Sequence, residues 1–447
     1  MAMSNKIHKF YQNGMYILLD VNSSTVHLID KTVYDVMDYF DGTNDEEVIK
    51  NLADKYDEKD LREILEERGE LFAPDIDVPP YFGETGLVKS MCLLVAEDCN
   101  LRCKYCFAGT GDMGHDRRLM TKEVGKAAVD YIIAHSGKRK HCEIDFFGGE
   151  PLVNMPVVKY VTEYVRQKEK ETGKVFKLTL TTNGVLLNDE NIKWLNDNNI
   201  SMVLSLDGRK EVHDYMRPDV GGHGTYDKVV KNFKKLVDSR DGNNYYLRGT
   251  FTNRNMDFSK DVLSMADEGF DILSVEPVVL KDSPYGFTKE DLPKIFAEYD
   301  KLTEIYLKRK KEGKGFFFFH FNIDLEHGPC VAKRLSGCGA GHEYYAVAAD
   351  GNMYPCHQFA GRENYMLGNV FEGVKNKELP KEFRKTHVLS KEKCRDCWAK
   401  FFCSGGCHAN ADLFHGNIHE PYELGCELQK KRCECAIVVK TAEKFGL

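Results

Sequence analysis

The sequence predicts an α/β protein: a parallel sheet of six βα units, closed partly or wholly as a barrel. A small mixed unit precedes it and a cysteine-rich segment follows. Three observations predict this. From Ser90 to about residue 315, strand-like runs alternate with helical stretches, as parallel strands joined by crossover helices do. Before that, two alternating runs flank an Asn-Gly pair. After Phe319, glycine, cysteine and short aromatic runs replace the long periodic elements. At 447 residues the chain is long enough for two or three domains.

The elements follow in order. Ile7–Tyr11 and Met15–Asp20 flank Gln12-Asn13-Gly14, a strong hairpin signal. A short run, Thr25–Ile29, precedes helical pattern at Thr32–Phe40, Asp45–Tyr56 and Glu58–Arg68, with Thr43 and Asn44 as caps before the second. Pro74 to Gly86 reads as a linker, with Pro79-Pro80 and two glycines. Barrel strands are expected at Met91–Ala96, Glu143–Phe147, Phe176–Thr181, Met202–Leu206, Tyr246–Thr252 and Ile272–Glu276. Helices are expected at Thr121–His135, Val157–Glu171, Asp189–Asn196, Tyr226–Asp238, Ser259–Asp267 and Lys289–Lys311. The segment after Phe319 has few elements able to make their own core and looks stapled by metal. The last stretch, Leu424–Phe445, is helical in pattern. The domains expected are 1–80, a linker over 81–89, the barrel over 90–315 and a final domain over 316–447.

Composition excludes some classes. Net charge is −8 and no Lys/Arg-rich stripe stands out, which argues against nucleic acid as a partner. No run approaches the ~18 apolar residues of a membrane span, and the N-terminus has no apolar signal core. The expected location is therefore cytoplasmic, where the fifteen cysteines point to metal binding or catalysis rather than disulfides.

The cysteines are the most telling residues. Cys99-Asn-Leu-Arg-Cys103-Lys-Tyr-Cys106 puts three thiols on the loop after the first barrel strand, where such folds place their chemistry. A [4Fe–4S] cluster normally takes four thiolates; three leave one iron open to another ligand. The alternatives are core thiols or zinc, which more often shows paired C-x2-C elements and needs a fourth ligand nearby. The spacing, with Phe107 after it, resembles the signature of radical S-adenosylmethionine (radical SAM) enzymes. In that family the SAM amine and carboxylate chelate the free iron, and one electron cleaves SAM to a 5′-deoxyadenosyl radical.

Further segments fit the resemblance. Gly148-Gly149-Glu150-Pro151 follows the second strand; the glycines permit close backbone approach and Glu150 can accept hydrogen bonds from an ammonium. Its family counterpart binds the SAM amine. Thr182 and Asn183 after the third strand resemble another family segment. Ser205 and Asp207 at the end of the fourth are expected to hold the ribose or methionine part of SAM, and Arg217 its carboxylate. By resemblance, Tyr105 offers backbone contacts to adenine. Each also reads as a polar turn at a barrel mouth.

Seven later cysteines, Cys338, Cys356, Cys394, Cys397, Cys403, Cys407 and Cys426, form an array that resembles the SPASM domain, a carrier of two auxiliary [4Fe–4S] clusters. The alternative is one or two zinc ribbons. The resemblance assigns Cys394, Cys397, Cys403 and Cys426 to the distal cluster, and Cys338, Cys356 and Cys407 to the nearer one. Seven thiolates for two clusters leave one position, open to a substrate thiolate or filled by Cys330. Cys92 and Cys142 read as core thiols; Cys433 and Cys435 have no assigned role.

The first unit resembles the PqqD-like, winged-helix element by which peptide-modifying enzymes bind a leader peptide as an added strand. The whole resembles radical SAM/SPASM peptide maturases of the sactipeptide type, closest to those acting on SCIFF peptides. That resemblance implies three [4Fe–4S] clusters, SAM, a cysteine-rich precursor peptide and a flavodoxin- or ferredoxin-like reductant. The implied reaction is hydrogen abstraction from an α-carbon and bonding of a cysteine sulfur to it, giving an intrapeptide thioether. Alternatives are a formylglycine-forming sulfatase-type maturase, a C–C or C–O crosslinking maturase, and a non-catalytic iron–sulfur sensor. In the sulfatase-type group an aspartate follows the second SPASM cysteine; here the residue is His357.

Overall fold

The computed structural model describes residues 6–41, 43–67, 71–77, 86–114, 116–325 and 334–447. Cys330, the end of the third predicted helix and most of the expected linker lie outside them.

Strands β1 (Ile7–Gln12), β2 (Met15–Asp20) and β3 (Val26–Ile29) form an antiparallel sheet in that order. Asn13 and Gly14, both with positive φ, make the predicted turn. Helices α1 (Lys31–Val36), α2 (Asp45–Leu52) and α3 (Glu58–Glu66) follow. The side chains of Asp30 and Asp57 cap the first and third. Asn44 stands at the start of α2 without capping it; its side chain instead joins Asp41 N and Tyr39 O. Strand alternation divides β2 between two cores. Leu18 packs with Val36, Val48 and Leu61, while Met15, Ile17 and Leu19 pack with Ile437, Val438 and Ala442 of the C-terminal helix, Glu423–Phe445.

The barrel strands are β4 (Ser90–Glu97), β6 (His141–Gly148), β7 (Val175–Thr182), β8 (Ser201–Ser205), β9 (Tyr245–Phe251) and β10 (Ile272–Pro277), all parallel in that order. A two-residue strand, β5 (Arg118–Leu119), pairs antiparallel with β4. Helices α4 (Lys122–His135), α5 (Met155–Thr172), α6 (Asp189–Asp197), α7 (Lys210–Met216), α8 (Tyr226–Asp238), α9 (Ser259–Asp267) and α10 (Leu292–Lys311) lie between and after them. Thr121 and Asn188 cap α4 and α6. Val129, Ile144, Val158, Leu178 and Phe233 meet in the core between helices and sheet. The short α7 is absent from the sequence reading, because seven residues give too few turns for a periodic signal.

The sheet does not close. β11 (Phe317–Phe318) extends one edge, pairing with β10. At the other edge β12 (Tyr344–Val347) pairs parallel with β4, and β13 (Asn352–Tyr354) continues antiparallel. The cysteine-rich segment therefore has the barrel core as its own: Tyr345, Val347, Phe359 and Phe383 belong to that cluster. Short runs gain stability there that they lack alone. No helix among the described residues is long and apolar enough to cross a membrane.

Candidate radical SAM site and auxiliary cysteine groups

The cysteine loop leaves β4 at the mouth of the partial barrel. Arg102 N donates to Pro218 O (2.8 Å) and Lys104 N to Met216 O (2.9 Å), tying it to the end of α7. Arg102 Nη1 donates to Cys99 O (2.8 Å) and Leu101 O (2.7 Å), bracing the turn from within. Cys99, Cys103 and Cys106 are each partly buried and none is in a disulfide.

The Gly-Gly-Glu-Pro segment lies against the root of that loop. A side chain on Gly149 would meet Asp98 O at 2.3 Å, and one on Gly148, whose φ is +135°, would meet Ala96 O at 2.2 Å. The close approach that needs glycine is thus to the chain entering the cysteine loop. Glu150 is buried. Its Oε1 accepts from Leu152 N (3.1 Å) and Thr182 Oγ1 (2.8 Å), and its Oε2 from Asn183 N (2.7 Å). One lone-pair direction on Oε2 is left. Burial pushes this carboxyl up to about 7 despite those donors. Pro151 opens a short 3-10 turn after it. Asn183 Nδ2 donates to Asn100 Oδ1 (2.9 Å) and reaches Cys99 Sγ at 3.7 Å, so the third strand's end touches the cysteine loop.

Three more predicted residues meet each other. Tyr105 OH donates to Asp207 Oδ2 (2.6 Å) and accepts from Arg217 Nη1 (2.8 Å). Asp207 Oδ1 accepts from Thr250 N (3.0 Å). The expectation for Tyr105 concerned its backbone; in the structure its side chain is the tie between the loop, β8 and α7. Ser205 ends β8, half-buried. The Arg217 guanidinium acts on the Cys103 and Cys106 thiols, and its buried Nε has no hydrogen-bond partner.

These observations fit the cofactors. Burial pushes the Cys99 thiol up to about 12 and Cys103 to about 11, with Glu150 adding to the first. Neutral thiols are favoured until an electropositive centre draws the protons off. Among the described residues no three His, Cys, Asp or Glu side chains converge on a single metal position. The orphaned Arg217 Nε suits a carboxylate beside the cluster loop.

The later cysteines lie in two neighbourhoods. Cys356 lies near Cys338 and Cys407, and Cys426 near Cys394, Cys397 and Cys403. Cys433, one helical heptad after Cys426, is buried beside Cys397 and Cys403; that spacing was its only signal in the sequence. Cys92 and Cys142 are buried as expected. Cys435 accepts a hydrogen bond from Gln12 at 3.3 Å.

The inside of the partial barrel holds a cavity of about 510 Å³, lined among others by Cys92, Asp145, Phe147, Tyr246, Tyr344 and His357. Burial lowers His357 to about 4, so it is neutral, between Phe107 and Phe147 with ring centroids 5.4 and 4.8 Å away. A larger cavity, about 860 Å³, opens at the N-terminal strand ends, away from the cysteine loop.

Residues 93–256 match the radical SAM superfamily, and 338–398 match the SPASM iron–sulfur cluster-binding domain. A cysteine-type anaerobic sulfatase-maturating enzyme of Clostridium novyi (strain NT) is 26% identical over 353 residues, 73% of this chain and 90% of that protein. Among solved structures, native anSMEcpe with bound AdoMet and Cp18Cys peptide has a TM-score of 0.64 at 23% identity, covering 80% of this chain and 99% of that one. Streptococcus suis SuiB bound to precursor peptide SuiA has a TM-score of 0.52 at 15% identity, covering 94% and 98%.

Proposed function

We propose that this chain, a radical SAM enzyme with a SPASM domain, installs an intrapeptide thioether in a ribosomally made, cysteine-rich precursor peptide. The observation that carries the peptide reading is the N-terminal unit. Among the described residues its three-stranded sheet leaves β3, like β1, with a strand partner on one side only, an edge on which an extended leader can add. The SuiB likeness spans all but about 27 of the 447 residues, so it takes in most of this unit. SuiB and anSMEcpe each have a solved structure with a bound peptide.

In this reading Cys99, Cys103 and Cys106 hold the cluster that, when bound, supplies the electron for SAM cleavage. Glu150 offers its remaining lone pair to the SAM amine and Arg217 its free Nε to the carboxylate. Tyr105 holds Asp207 and Arg217 in place. The barrel cavity takes the acceptor residue of the peptide, with neutral His357 on its wall. Thioether formation breaks one Cα–H and one S–H bond and makes one C–S bond. One hydrogen atom leaves with deoxyadenosine and one proton goes to a base; the remaining electron would be taken by the clusters that the auxiliary cysteines would hold. In the nearer group Cys338, Cys356 and Cys407 leave a fourth position, taken by the substrate sulfur in this reading and by Cys330 in the alternative one. The thioether product rests on the resemblance to SCIFF maturases and on His357 standing where sulfatase-type enzymes have aspartate.

The test is anaerobic incubation of the reconstituted protein with SAM, a reductant and a cysteine-rich peptide encoded beside its gene, read by mass spectrometry. Loss of two hydrogens with one cysteine no longer alkylated is the expected result. Loss of sulfur from the peptide would mean formylglycine. Loss of two hydrogens with every thiol still alkylated would mean a C–C or C–O bond if the peptide does not react with a carbonyl reagent, and formylglycine made from serine if it does.

A further inference from the structure

Lys391 is 3% exposed, at the base of the loop that carries Cys394. Its carbonyl accepts from Cys394 N and Arg395 N, both at 3.0 Å. Its ammonium crosses to the loop between Cys403 and Cys407 and donates to Gly405 O at 3.0 Å. Among the described residues no carboxylate pairs with it. Burial pulls this ammonium below the usual lysine range, and the charges that oppose that pull are those of Cys394, Cys403, Cys407 and Cys426, drawn from both auxiliary groups. A buried cation needs a counter-charge, and one carbonyl does not supply it. Four thiolates around a [4Fe–4S] core make a net anion, and reduction by one electron makes it more so. A fixed positive charge beside it therefore favours the reduced state.

We propose that Lys391 is a shared counter-ion for the two auxiliary clusters and raises their reduction potentials, which suits them to take the electron left by bond formation. This rests on the reading that the seven SPASM-type cysteines hold clusters. In this proposal Lys391 is a positioning residue that acts through the clusters.

The experiment compares the full-length, anaerobically reconstituted protein with Lys391→Met and Lys391→Arg. Iron and sulfide are counted first, and midpoint potentials are then read by EPR-monitored redox titration. The expected result is that Lys391→Met keeps its iron but its auxiliary signals appear at more negative potentials, and Lys391→Arg restores them. The signal that responds to SAM does not move. Lys391→Met losing auxiliary iron that Lys391→Arg retains would also support the proposal, since charge then holds the anion. Full iron with unmoved potentials in Lys391→Met would overturn it. So would equal iron loss in both variants, which would make Lys391 a shape-specific tie between loops. Wild-type protein with iron for one cluster only would overturn the cluster reading itself.

Discussion

Tyr105→Phe removes one hydroxyl and keeps the ring. In the structure that hydroxyl donates to the Asp207 carboxylate at 2.6 Å and accepts from the Arg217 guanidinium at 2.8 Å, and Asp207 and Arg217 are buried. A hydrogen bond to a charged group contributes roughly 1.5–3 kcal/mol, and a buried group left unpaired bears its desolvation cost. Two such bonds are lost. Asp207 retains Thr250 N, and its charge lies close enough to Arg217 for partial direct pairing. The net local loss is therefore about 2–4 kcal/mol. It falls where the cysteine loop is tied to α7, so Arg102 and Lys104 amides, bonded to Pro218 O and Met216 O, report it. Their hydrogen exchange should accelerate about 30- to 700-fold. Exchange unchanged within about threefold, with the hydroxyl gone, would refute the claim that this triad holds the loop.

Three further outcomes follow. Gly149→Ala drives a methyl to 2.3 Å from Asp98 O; iron analysis should show loss of the Cys99-loop cluster with auxiliary iron retained, and full iron with normal SAM binding counts against the packing argument. Hydrogen bonds from Lys55, Tyr56 (2.6 Å) and Lys31 (2.9 Å) hold the Asp35 carboxyl well below the usual range. Its stabilisation is complete above the unfolded pKa of about 4 and is lost as pH falls through the lower folded value. Exchange at α1, corrected for intrinsic rate, should show that acid dependence in wild type and lose it in Asp35→Asn. Trp398→Ala removes the ring stacked on His8, centroids 3.8 Å apart at 3°. That costs about 0.5–1.5 kcal/mol beyond buried area, and limited proteolysis should cut the N-terminal hairpin several-fold faster.

The sequence by itself determined the local features. Apolar periodicity located the six barrel strands to within two residues and their main helices to within three, the largest difference being the 3-10 turn Lys289–Asp291 that precedes α10, because burial repeats every 2.0 or 3.6 residues. Asn13-Gly14 fixed the hairpin through its φ values. The cysteine spacings marked the loops on which thiols gather, since residues a few positions apart on one loop stay within reach of one another. Tertiary structure decided what lies far apart in the chain. Glu150 meets Asn183 across 33 positions, Tyr105 meets Arg217 across 112, and Gln12 meets Cys435 across 423. It also made the C-terminal segment a continuation of the barrel sheet through β12 and β4. Lys391 had no signal at all: a lysine in a charged run reads as solvated surface, and only folding reveals that it is buried between two sets of thiols. Local spacing encodes which residues share a loop or a face; partners across the fold are chosen by packing, and buried polar groups must then find each other.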